Sequence, residues 1–185
     1  MGEQHKKHNR REHLNDFHLN VAGEYVYDGA LYACQSDDAK QRRIKRAVWG
    51  MAAILIVAVI AGGCIPAPGM QNCFYVLLPY LGEFLGAASV IWALAKLGMD
   101  WSTVREYNYK QSVAVLPVRT AVTAVFSGLG IVCELIFFFV NDHAGQTFFA
   151  LLYVLLKLTA LLSALVLRAE IMQAEWDKLP KKDNF

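Results

Sequence analysis

Apolar residues along this chain gather into four long runs separated by short polar segments. Residues 47–65 carry no charge, 73–95 carry only Glu83, 121–140 only Glu134, and 147–167 only Lys157. A helix needs about 20 residues to cross a hydrocarbon core of roughly 30 Å, and each run has that length. A soluble amphipathic helix must keep one face wet, which interrupts its apolar residues every turn. These runs are apolar all round, so lipid is the solvent they imply. The expected fold is an all-α membrane protein, an antiparallel four-helix transmembrane bundle over residues 47–167, with helices at 47–65, 73–95, 113–140 and 147–167.

Charge then orients the bundle. The segment before the first run holds nine Lys and Arg, the connection 96–111 three, and the tail from Arg168 four, whereas the connections 66–72 and 141–146 hold none. Basic residues collect on the cytoplasmic side of short loops. Sixteen against zero predicts N-in, C-in topology. No cleavable signal is expected, because 46 largely polar residues precede the first apolar run.

The polar flanks carry local signals of their own. Residues 1–46 are read as a cytoplasmic segment that begins disordered. It then forms a short β-hairpin over 24–33, because Asp28-Gly29 between short aromatic runs is the favoured two-residue turn. A basic cluster, Arg42, Arg43, Lys45 and Arg46, directly precedes the first helix, where anionic lipid headgroups attract basic side chains. Thr103-Val104-Arg105-Glu106 reads as a capping box, so the third helix is expected to start before it enters the membrane and to kink at Pro117. Residues 168–185 are read as a cytoplasmic helical extension and tail, stopped by Pro180. Trp49, Trp92 and Trp101 fit an interfacial aromatic belt.

Candidate chemistry sits inside the runs, where an ionisable residue costs about 2.5–3.5 kcal/mol at a helix centre. Glu83 and Lys157 each lie ten residues, about 15 Å, inward from the outer start of their helices, a depth that permits an ion pair. Glu134 lies about 9 Å from the outer end of helix three and ends a stripe with Arg119, Thr123, Ser127 and Gly130 on one helical face. Two readings of this interior stand open: a structural pair of Glu83 and Lys157 that locks register, or an acid, Glu83 or Glu134, that titrates or binds a cation. Arg119 is expected to snorkel towards headgroups. Cys64 and Cys73 bracket the first outer loop and form a candidate disulfide.

Other chemistry finds no support. His5, His8, His13 and His18 do not share a helical face, so no metal site is expected. No phosphate-binding loop, nucleophile elbow or dinucleotide fingerprint occurs, and neither cofactor nor nucleic-acid partner is expected. The chain resembles small multidrug transporters and quinone-linked disulfide oxidases in helix number alone, which transfers no function. The expected role is a non-enzymatic accessory, scaffold or regulatory subunit of a membrane complex. Its partners would be the bilayer and either another membrane protein or further copies of itself. The alternative is a small oligomeric transporter or channel using Glu83, Glu134 and Lys157. Absence of any Asn-x-Ser/Thr acceptor fits a multi-pass protein of a bacterial inner membrane.

Overall fold

The computed structural model describes residues 17–19, 23, 25–27, 29–141 and 147–179. Expectations that fall on 1–16, 142–146 and 180–185, including most of the histidines and Pro180, lie outside the described residues. Four helices are long and apolar enough to cross a membrane: α1 (Asp38–Cys64), α3 (Phe74–Leu97), α5 (Leu116–Val140) and α6 (Thr147–Met172). Two short helices join them, α2 (Pro68–Asn72) and α4 (Glu106–Gln111). The strands are β1 (Phe17–Leu19), β2 (Tyr25–Tyr27), β3 (Leu31–Cys34), β4 (Val104–Arg105) and β5 (Trp176–Lys178).

In the bundle α1 packs along α6, α6 along α5, and α5 along α3, with a lighter contact between α1 and α3 closing the ring. Contacts progress in opposite senses along α3 and α5, with Ser127 against Glu83 and Arg119 against Ser89. The buried side of each helix is rich in small residues, among them Ala52 and Ala58 of α1, Gly86 and Ala87 of α3, and Ala160 and Ala164 of α6. Small side chains allow close backbone approach between the helices. At Gly86 a Cβ would lie 3.3 Å from the Cα of Thr123, so α3 and α5 touch backbone to backbone there. The outward faces carry Ile54, Val57, Phe84, Leu85, Val125, Leu129, Leu155 and Leu162, all exposed.

One end of the bundle is closed by a three-stranded sheet of order β4-β3-β5. Its strands come from three connections distant in sequence: the approach to α1, the link between α3 and α5, and the segment after α6. Tyr32 pairs with both Val104 and Lys178. Main-chain bonds extend the link, from Cys34 N–H to the Trp101 carbonyl (3.1 Å) and from Leu179 N–H to the Leu31 carbonyl (2.8 Å).

Several local expectations are corrected. The 24–33 hairpin does not form: β2 pairs with β1, and β3 pairs with β4 and β5. A type I′ turn needs positive φ at both central residues, and Gly29 lacks it, whereas Gly23, between β1 and β2, has φ 80°. The 103–106 capping box is also absent, because Val104 and Arg105 are drawn into β4, and α4 starts at Glu106 with no side-chain cap. Pro117 falls in the first turn of α5, where its missing N–H has no helical partner to lose, so it starts that helix and does not kink it. The tail helix ends at Met172 and Trp176 enters β5. Trp101, expected in an aromatic belt, is 1% exposed beneath the sheet.

Candidate functional site

The ionisable residues of the apolar runs turn inward because their helices bury one narrow face. Glu83 and Glu134 are fully buried and Lys157 is 1% exposed. Lys157 Nζ donates to Glu83 Oε2, and Ser127 Oγ donates to Glu83 Oε1 at 2.7 Å. The ammonium also lies 4.5 Å from the Tyr80 ring centre and 5.0 Å from that of Tyr153, so two aromatic faces share its charge. Tyr80 hydroxyl donates to the Val59 carbonyl of α1 (3.5 Å). Residues from α3, α5 and α6 thus meet at one point, and Tyr80 ties them to α1.

The rest of the polar stripe is absorbed by backbone. Thr123 Oγ1 donates to the Arg119 carbonyl (2.8 Å), and Thr120 Oγ1 to the Leu116 carbonyl (2.9 Å). Arg119 does not snorkel outward: its guanidinium donates to the Ser89 carbonyl of α3 at 2.6 Å.

Glu134 stands apart from the pair. Its Oε1 accepts from the Gly69 N–H of α2 at 3.4 Å, while Oε2 is buried with no hydrogen-bond partner among the described residues. A Cβ at Gly69 would overlap this carboxylate, so α2 approaches it closely there and a larger residue would push the Glu134 side chain aside. Tyr153, fully buried, likewise has a hydroxyl without a partner.

Cys64 is exposed, Cys73 half-buried, and both are free thiols. In the basic cluster, Arg42 and Arg46 are exposed. Arg43 reaches Glu170 at 3.8 Å, and Lys45 lies 5.5 Å from the ring centre of Trp101. Among the described residues no three His, Cys, Asp or Glu side chains converge on a common point. A groove of about 390 Å³ on α5, bordered by Pro117, Val122, Phe126 and Arg168, includes none of the interior ionisable groups.

The second concentration of side chains was not legible in the sequence. Tyr32 stacks on Tyr109 with ring centres 4.2 Å apart and planes 6° from parallel. Trp176 contacts Tyr109 at 5.8 Å and Trp101 at 5.6 Å. These four rings come from β3, α4, β5 and the loop after α3, and only strand pairing brings them together. The one sequence signal was an excess of aromatics in otherwise polar connections. Beside them Asp100 accepts from both the hydroxyl (2.7 Å) and the N–H (3.0 Å) of Ser102, and these bonds hold its carboxyl below the usual carboxylate range.

No family model, curated protein or solved structure compared with this chain matches it. The functional reading therefore rests on geometry and charge.

Proposed function

We propose that this chain is a multi-pass protein of a bacterial cytoplasmic membrane, with both termini inside, that serves as a non-catalytic accessory or scaffold subunit of a membrane complex. The observation that carries the reading is the β4-β3-β5 sheet with its four aromatic rings. All three segments that build it carry Lys and Arg, whereas the connections at the opposite end of the bundle carry none, and under the positive-inside rule this supports a cytoplasmic platform. Exposed Ile, Leu, Val and Phe around the four long helices suit acyl chains and would be a severe liability in water. At mid-depth Glu83, Lys157 and Ser127 satisfy one another, which fits an interior built for register.

Beyond the platform, β1 and β2 form a separate two-stranded ribbon, on which Tyr25 is 76% exposed. An isolated ribbon is only marginally stable in water, and a partner surface would steady it. Purification from native membranes in mild detergent tests this role. The full chain should bring down a membrane partner that a variant lacking residues 17–27 loses while keeping its helicity. Purification of the full chain alone, at stoichiometric purity from native membranes, would refute it.

A small oligomeric transporter or channel is the second reading, favoured by one observation, the unpaired Oε2 of Glu134. Flux in proteoliposomes that disappears in Glu134→Gln would move the assignment to it.

A further inference from the structure

We propose that Glu134 and Tyr153 form a binding site for one monovalent cation, a proton or an alkali-metal ion, beneath the cover of α2. The argument starts from charge. The buried core holds two carboxylates, Glu83 and Glu134, and one ammonium, Lys157. Lys157 is committed to Glu83, which leaves one carboxylate without a counter-charge among the described residues. A single N–H at 3.4 Å from Gly69 supplies a dipole to Oε1 and nothing to Oε2. An ion buried without a partner is among the costliest arrangements a protein interior can hold. A bound cation removes that cost.

The surroundings define the class of cation. Gly130 of α5 lies opposite Lys157 of α6, since a Cβ there would be 3.7 Å from the lysine stem. One turn further along each helix, in opposite senses, Glu134 comes near Tyr153, whose hydroxyl is also unpartnered among the described residues. The available donors are oxygens, which select a hard cation. A calcium ion takes about six to eight oxygen ligands, typically with several carboxylates, and this site has one carboxylate. Single charge matches single charge. The other titratable groups around Glu134 are Tyr75 and Cys73 at the start of α3, Cys133 beside it on α5, and Glu83 with Lys157 a turn deeper; α2 contributes none. Among the described residues no other cationic side chain faces Glu134.

This site depends on the four-helix interior and not on the accessory role, and its test uses purified protein with no partner and no flux. Melting in detergent is followed from about pH 5 to 9 at constant ionic strength, with sodium or potassium chloride exchanged for choline chloride. The wild-type midpoint should move by about 3 °C or more across one of these series, and Glu134→Gln should melt cooperatively and lose that response. The pH series reports a proton, the salt series an alkali ion. Tyr153→Phe should weaken the salt response and spare the proton response. A hydrophobic carbodiimide, which attacks protonated carboxyls, gives a readout on unmodified protein should the Gln variant not fold. Adduct on Glu134 should fall several-fold either at high pH or in sodium. A flat wild-type response in both series, an unchanged response in Glu134→Gln, or labelling absent or indifferent to both conditions would overturn the proposal.

Discussion

Replacing Lys157 by Met removes the ammonium that lies between Glu83 and the rings of Tyr80 and Tyr153. Glu83 is then fully buried with one hydroxyl, that of Ser127, as its remaining donor. Breaking a buried pair from one side costs about 3–5 kcal/mol, because the surviving charge keeps its desolvation penalty without its attraction. The reverse change, Glu83→Gln, is milder. Lys157 keeps two aromatic faces, worth up to about 2 kcal/mol when desolvated, and Gln retains an acceptor for Ser127, so about 1–3 kcal/mol is expected. With both changes no charge is left buried, and the double variant should lie within about 1 kcal/mol of wild type. The double-mutant cycle should therefore give a coupling of about 3 kcal/mol or more. Equilibrium unfolding in mixed micelles of mild detergent and dodecyl sulfate, followed by helical circular dichroism, measures all four proteins. Additive single effects, or single variants as stable as wild type, would refute the ion-pair account.

Other outcomes test separate parts of the structure. Gly86→Ala should cost about 1–3 kcal/mol, because the new methyl meets the Thr123 backbone. Gly82→Ala should cost less, because it meets only the ring of half-buried Phe126, which can turn aside; the reverse order in the same unfolding assay would disprove the backbone contact. Trp101→Ala should cost about 3–5 kcal/mol and should raise hydrogen exchange in β3 and β5 while α3 and α5 keep their protection; uniform protection would show that the aromatic cluster does not hold the sheet. An impermeant maleimide on intact spheroplasts should label Cys64, the exposed thiol at the end of α1, and spare Cys34. Labelling of Cys34 without permeabilisation would invert the proposed topology.

Four long apolar helices were legible because length and apolarity are properties of contiguous residues. A run such as 147–167 needs no partner to declare itself. Glu83, Lys157 and Glu134 were legible as interior residues for the same reason, since an ionisable group within such a run finds its partners only on the face turned to the other helices. Equal depth made Glu83 and Lys157 a candidate pair; what the sequence did not show is that Ser127 of α5 completes it. Glu134 is left out because α2 lies over it and offers only a main-chain N–H.

The polar connections show the opposite case. Tyr32, Trp101, Tyr109 and Trp176 lie in segments whose local signals point to a hairpin, a belt, a capping box and a helical tail. Each local preference is worth about 1 kcal/mol or less. Burying rings against one another in a shared sheet outweighs that, so Val104 and Arg105 leave the helix and Trp176 becomes a strand. Long apolar helices are dictated one at a time by their own residues. The sheet that joins their ends arises only once the bundle has brought three distant stretches of chain side by side.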